Sequence, residues 1–415
     1  MGGKNYKWVI LLTSGSLMMF FFMVQITWVM NVTQEVEAGI DSINNSFGVS
    51  SYPIAMLGFS IPVFTQGAGN FLQGNLVHRI GFRRTFLIFA PLLIVPQFII
   101  PLLPNLAEGQ ISWAICLSLR GLQGIGLPFG VLSPLIGLWF PLEERGMAQG
   151  VFMTFVGVNS GVGALFAVAL GDWAHTFIFL GCVMLMLSAI WVFLVREPPL
   201  LERGVERKET RKGDKVSIYR SGATWLTVWI ISINCWVVFG TTGNAAPYLR
   251  AQGVDATMIG LTILFFSLAS LVAAPLSGVI SDKLILRIGA IRARSYSVSL
   301  GFGLATVLIV VYPGLVETGI PALIVAGTFL LGIGGPWSSG PGWALPADLD
   351  PHEAGAISGL ALIMGQAVGG IAGQTVAIMG DSFAWPAAWS VLALVAAFGV
   401  MPCLLLPKIA STKGR

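Results

Sequence analysis

Apolar and polar positions in this chain do not alternate with the short periods of a soluble fold. They gather into long apolar runs separated by short polar joints, near 8–38, 50–73, 84–104, 110–138, 147–171, 174–195, 222–246, 257–281, 295–316, 320–346, 355–380 and 384–407. A helix needs about twenty residues to cross a hydrocarbon layer, and most runs have that length or somewhat more. A bilayer offers backbone groups no water, so only helices or closed barrels span it. The pattern predicts an all-α integral membrane protein with twelve transmembrane helices. The first run is the least regular, because Asn31, Thr33, Gln34, Glu35 and Glu37 make its far half polar. It either ends near Asn31 or carries a polar outer extension.

Composition agrees with this reading. Of the 415 residues, 55% are hydrophobic and only 10% charged, against about 25% charged in soluble domains. Of the 23 Lys and Arg residues, all but Arg120 and Arg250 fall in segments that share one side of the membrane. By the positive-inside rule that side is the cytoplasm. The expectation is a multi-pass protein of the cell (inner) membrane with both termini cytoplasmic. The cations are spread over many loops, so no nucleic-acid partner is expected. Cys116, Cys182, Cys235 and Cys403 lie within apolar runs without metal-ligand spacing, and they read as core residues; no metal or cofactor is expected. The first run extends too far for a cleavable signal, and Tyr6 stands where myristoylation needs Ser or Thr. The first helix is its own insertion signal.

The longest polar stretch, Arg196 to Arg220, sits almost at mid-chain and divides it into halves. These are an N-terminal six-helix bundle (1–195), a cytoplasmic basic linker (196–221) and a C-terminal six-helix bundle (222–415). Self-similarity supports the division. Leu76-Val-His-Arg79-Ile-Gly81 recurs as Leu284-Ile-Leu-Arg287-Ile-Gly289, and Glu144-Arg-Gly146-Met-Ala-Gln-Gly150 as Glu353-Ala-Gly355-Ala-Ile-Ser-Gly359. Gly126-Leu-Pro128 answers to Gly334-Gly-Pro336, and Trp28 to Trp236. All four matches keep one order and nearly one spacing, half the chain length. Two pseudo-symmetric bundles follow, with a solute held where they meet and one half rocking against the other.

These residues resemble the major facilitator superfamily over essentially the whole chain. Its Gly-x-x-x-Asp-Arg-x-Gly-Arg-Arg loop is similar to Gly74-Asn-Leu-Val-His78-Arg79-Ile-Gly81-Phe-Arg83-Arg84, with His78 in place of the acid. The second-half copy, Gly278-Val-Ile-Ser-Asp282-Lys283, keeps the acid and adds residues before Arg287-Ile-Gly289. The resemblance implies a charge network that latches the cytoplasmic side, weakened at His78. Arg120-Gly-Leu-Gln123-Gly124 is similar to the family's Arg-x-x-x-Gly pattern. Trp139-Phe140-Pro141 with Arg145-Gly146 resembles a joint found in its anion and monocarboxylate carriers. Gly74, His78, Arg79, Gly81, Arg83, Arg145, Asp282 and Arg287 are the candidate gating residues.

Arg120 is the most informative residue. A guanidinium inside a span costs about 2.5–3.5 kcal/mol to insert and is kept for a cavity, a partner or a substrate. No acidic residue lies deep in any predicted span. Two readings stand: Arg120 grips an anion through its planar fork, or it bonds backbone carbonyls or Gln123 and ties helices together. Trp28 and Trp236 read either as aromatic walls around a solute, oriented by Gln25 and Asn234, or as packing. Trp337 and Trp343 read either as further aromatics of the solute site or as bend and packing residues of a Gly- and Pro-rich run that marks a gate helix. The glycines of the fifth and eleventh spans read as close-packing surfaces, with Asn159 and Gln366 among them as polar candidates for the path.

The expected function is secondary active transport of a small organic anion, monocarboxylate-like, by alternating access in a monomer, with a coupling proton or an exchanged anion. The alternative is an exporter of amphipathic or cationic solutes. An enzyme would need clustered histidines or paired carboxylates at mid-depth, and His78, His175 and His352 lie far apart. A channel would not need the duplicated plan. Proton coupling would need Glu35 or a proton shared with the substrate, and unchanged proton-driven uptake by Glu35→Gln removes the first.

Overall fold

The computed structural model describes residues 3–32, 42–49, 51–106, 109–197, 219–350, 353–382 and 384–411. Among them there is no strand. The six helices of the first half are α1 (Gly3–Asn31), α2 (Leu57–Ile80), α3 (Phe82–Ile99), α4 (Gly109–Gly126, resumed as Phe129–Trp139), α5 (Leu142–Leu170) and α6 (Trp173–Leu194). Those of the second are α7 (Gly222–Ala251), α8 (Ala256–Ile288), α9 (Ala290–Glu317), α10 (Pro321–Trp337, resumed as Ser339–Leu349), α11 (Ala354–Ser382) and α12 (Trp385–Phe398, resumed as Val400–Ser411). Ten of these rods are long and apolar enough to cross a membrane, the broken ones counted whole. The other two, α2 and α5, have 24 and 29 residues, or roughly 36 and 43 Å of helix. Glu35 and Glu37 and nearly all of the predicted linker lie outside the described residues.

Local chemistry sets the helix ends. Gly81 and Gly289 take φ of +87° and +83°, a region open to residues without a Cβ. Each ends one helix and begins the next, so the repeated Arg-Ile-Gly motif builds the same tight turn in both halves. Asp172 and Asp255 begin α6 and α8 by accepting backbone N–H bonds from Ala174 at 2.7 Å and Met258 at 3.0 Å, an N-cap worth about 1 kcal/mol.

Each half has its own core. In the first, Trp191 stacks on Phe86 with ring centroids 4.4 Å apart and donates to Ser14 Oγ at 3.0 Å. In the second, Trp389 lies against Tyr248 and Tyr312. The four cysteines are unpaired; Cys116, Cys235 and Cys403 are buried as expected, whereas Cys182 is exposed on the outer face of α6.

The halves meet along α2–α11 and α5–α8, where the glycines lie. A Cβ on Gly150 of α5 would stand 2.5 Å from the Ala274 carbonyl of α8, and one on Gly278 of α8 would stand 2.5 Å from the Gly146 carbonyl of α5. Backbones this close leave no room for a side chain, and van der Waals packing replaces the hydrophobic effect that lipid cannot supply. Gly161 N–H donates across the same seam to Ser267 Oγ at 2.9 Å, and Gln374 of α11 donates to Ser60 of α2 at 2.7 Å. Gly150→Ala is expected to destabilise the folded protein by about 1–3 kcal/mol through overpacking, read as a lowered thermal transition in detergent.

Candidate functional site

A cavity of about 90 Å³ lies where the two halves face each other. Gln25 of α1, Asn159 of α5, Asn234 of α7 and Gln366 of α11 contribute its amides, while Phe22, Phe59, Phe129, Phe266 and Trp343 supply aromatic surface. The amides come from the first and fifth helices of each half, Gln25 and Asn159 from one and Asn234 and Gln366 from the other. Asn159 Oδ1 and Gln366 Oε1 are buried with no protein partner, so each has an acceptor to offer. Among the described residues no charged side chain lines the cavity.

Behind Gln25 stands Arg120, fully buried. Pro62 in α2 has no N–H, which frees the carbonyl of Gly58 one turn earlier. Arg120 Nε takes that carbonyl at 2.7 Å, while its Nη1 donates to Gln123 Oε1 and its Nη2 to Gln25 Oε1, each at 2.7 Å. The guanidinium also lies 4.7 Å above the ring of Trp28, a cation–π geometry. Trp28 can approach because residue 58 is glycine: a Cβ there would overlap the indole at 1.9 Å. Gln25, Trp28, Arg120 and Gln123 thus form one cluster binding α1, α2 and α4, and Gln25 alone of them reaches the cavity. Among the described residues no carboxylate pairs with Arg120. Its charge is hydrogen-bonded but not neutralised, one side chain behind the cavity wall.

The breaks in α4 and α10 flank the same space. Pro128 denies Gly124 O its usual donor, and that carbonyl accepts from Leu127 N at 3.2 Å instead. Gln73 donates to the Ile125 and Leu127 carbonyls at 3.0 and 3.1 Å, and Asn70 Oδ1 accepts from Gly130 N at 2.8 Å. In α10, Pro336 leaves Gly332 O free and Ser270 donates to it at 3.2 Å. Asn234 Nδ2 donates to Ser338 Oγ at 2.7 Å and Ser339 Oγ at 3.2 Å, so a cavity-lining amide holds the α10 break. Just past the breaks, Phe129 and Trp343 meet across the halves with ring centroids 4.8 Å apart.

Beyond that aromatic contact, at the basic face, an ion network joins the halves. Asp348 at the end of α10 is completely buried between Arg294 (3.0 Å) and Arg145 (3.3 Å). Arg294 also pairs with Asp282 at 2.6 Å and donates to Ser281 at 2.5 Å. Asp282 crosses to the first half by accepting from Met147 N, in the first turns of α5, at 2.9 Å. The candidates Arg145 and Asp282 are thus in contact with this network. Arg79, Arg83 and Arg287 are exposed; Gly74 lies close to the Gly355 carbonyl of α11. The side chain of His78 is outside the described residues. Glu197, not singled out from sequence, caps α3 by accepting from Phe82 N at 2.9 Å.

Trp236 and Trp337 are not on the cavity: Trp236 is packed in the second core, and Trp337 lies against Gly301 of α9. Arg294 and Asp348 were not singled out as functional from sequence, because charges at span ends look like topology signals. The phenylalanines of the cavity wall were missed as well, since a phenylalanine facing a path reads like one facing lipid; Trp343, weighed from sequence beside Trp337, does line the cavity.

The Major Facilitator Superfamily profile matches residues 8–374. The "Probable sulfoacetate transporter SauU" of Cupriavidus necator is 25% identical over 288 residues, 60% of this chain and 65% of that one. The "Probable galactarate/D-glucarate transporter GudP" of Escherichia coli K12 is 26% identical over 261 residues, 55% of this chain and 56% of that one. The matched stretch therefore spans less than two thirds of either relative. Among solved structures, the proton:xylose symporter XylE bound to 6-bromo-6-deoxy-D-glucose superposes with a TM-score of 0.75 over 98% of this chain and 96% of its own, at 14% identity. That likeness is one of fold.

Removing Asp348 leaves two buried guanidiniums facing each other, and breaking a buried ion pair in this way costs about 3–5 kcal/mol. Asp348→Asn is expected to weaken closure of the basic face. The native thiol of Cys235, which lines the cavity, should then react faster with a maleimide added from that face, measured in a Cys182→Ser background.

Proposed function

The chain belongs to the major facilitator superfamily, and from that premise we propose that it carries a small organic anion of the monocarboxylate class by alternating access in the cytoplasmic membrane, with both termini inside. The observation that supports this reading most is Arg120: a buried cation with no carboxylate partner, separated from the cavity by the amide of Gln25 alone. A carboxylate entering the cavity would compete with Gln25 Oε1 for the guanidinium, and a charge-assisted bond outcompetes a neutral one. Asn159, Asn234 and Gln366 would orient the rest of the solute. The single nearby cation favours a monoanion over a diacid. SauU and GudP, both named for organic acid anions, support the substrate class in its coarse form.

Exchange or facilitated passage fits this geometry better than proton symport, because among the described residues no carboxylate lines the cavity to carry a coupling proton. Export of an amphipathic or cationic solute is the second reading, favoured by the aromatic lining.

Proteoliposome uptake with a panel of labelled monocarboxylates, dicarboxylates and lipophilic cations tests the proposal. Arg120→Gln is expected to raise the KM for the transported anion about tenfold or more, though it also removes a tie between three helices. Gln25→Glu is the sharper variant. It gives Arg120 an internal counter-charge at the same length, so the fold should hold while anion transport is lost. Undiminished anion transport by a well-folded Gln25→Glu protein, or cation transport that rises with it, would overturn the anion reading.

A further inference from the structure

A second concave surface lies on the outside of the C-terminal half. A groove of about 560 Å³ runs between α9 and α12, lined by Tyr296, Leu300, Gly303, Val307, Val400 and Leu404 among others, with no acidic residue in its wall. Gly303 keeps it open, since a Cβ there would meet nothing within 4 Å. The groove faces the space that hydrocarbon occupies, as the exposure of Leu300, Val307 and Leu404 shows.

The depth of its charged end follows from the packing. Gly399 at the break in α12 abuts Phe302 of α9, a Cβ there standing 2.7 Å from the ring. The two helices run in opposite directions, so ten residues back from Phe302 and nine on from Gly399 bring Arg292 of α9 and Lys408 of α12 to nearly the same level at the basic face, with about 1.5 Å of rise per residue. Arg292, Tyr296, Leu300, Gly303 and Val307 follow one another at helical spacings of three and four, and so do Val400, Leu404 and Lys408. Both cations are exposed. An apolar trough thus ends between two positive charges at the depth of a headgroup.

We propose that this groove binds an anionic phospholipid of the leaflet on the basic side, one acyl chain lying along Leu300 to Val307 and the phosphate held between Arg292 and Lys408. Charge selects this occupant. Basic pockets between membrane helices attract anionic headgroups, whereas a second copy of the chain docked here about a two-fold axis along the membrane normal would set like charges against each other.

Native mass spectrometry of the full-length protein, supplied with phosphatidylglycerol or phosphatidylcholine of the same chain length, tests the assignment. One phosphatidylglycerol should be retained over phosphatidylcholine by about tenfold or more, and Arg292→Gln and Lys408→Gln should each weaken retention about fivefold. Gly303→Phe should fill the trough and abolish selective retention while leaving the thermal transition and solute uptake in place. Equal retention of the two lipids, retention indifferent to all three substitutions, or a dimer mass that Gly303→Phe dissolves would each overturn the proposal.

Discussion

A positive charge with no counter-charge among the described residues, placed one side chain behind a cavity lined by four amides, is the constraint on which the site depends. Arg120 is tolerated there because the surrounding sequence supplies acceptors at the right places. Pro62 frees a carbonyl, Gly58 lets an indole slide beneath the guanidinium, and Gln25 and Gln123 present amide oxygens. Each of these partners is neutral. They satisfy the hydrogen-bonding demand of the group and leave its field standing, and in a low-dielectric interior that field reaches well beyond contact distance. The cluster therefore holds α1, α2 and α4 together and keeps an electrostatic preference at the cavity wall. The two readings of Arg120 open at the level of sequence are compatible in one geometry.

The interface between halves uses two kinds of chemistry at different depths. Along α5–α8 the glycines bring backbone against backbone, whereas on α2–α11 Phe64 and Phe71 lie against Gly370 and Gly359. The first kind of surface loses little by sliding, because at its glycines no side chain must leave a socket. At the basic face the contact becomes ionic and buried, with Asp348 held by an arginine from each half. Pairs of this kind resist gradual stretching: opening must expose or re-solvate the charges together. The network is carried by the second half, through Asp282, Arg294 and Asp348, and it grips the start of α5. In the first half His78 stands at the position matching Asp282, so the closure is built asymmetrically on a symmetric frame.

Much of the fold was legible because lipid imposes a simple rule. Length and apolarity located the spans to within a few residues for most helices. The second span was drawn about two turns too early, ending at 73 where the helix runs to Ile80. The cause is physical: Asn70 and Gln73 look like a joint in the sequence, yet they are spent on the broken backbone of α4. Hydropathy counts polarity and cannot see whether a polar group faces water or a neighbouring carbonyl. The same blindness hid the latch, since Arg294 and Asp348 lie at span ends where charges ordinarily meet solvent. Gln25, Asn159, Asn234 and Gln366 could be singled out because an amide in an apolar run has few reasons to be there. Phe129 could not, because lipid and cavity ask for the same kind of residue, and Trp343 was picked out only with Trp337, which lies off the cavity.

The repeat explains how a cavity can respond to what it holds. Breaks in α4 and α10 occur at matching places because the duplicated Gly-Pro segments do, but they are supported differently. The α4 break is held by Gln73 and Asn70, away from the cavity, and the α10 break by Asn234, on it. A group that drew Asn234 toward the cavity would loosen Ser338 and Ser339, and the lower part of α10 carries both Trp343 and Asp348. One amide thus links the middle of the protein to the aromatic contact and the ionic latch through a single helix segment. The lower part of α4 also reaches both contacts, through Phe129 and through the Gly137 carbonyl that accepts from Arg145 at 3.0 Å, but its break is not held by a cavity amide, so the direct lever of a bound group is on the second half.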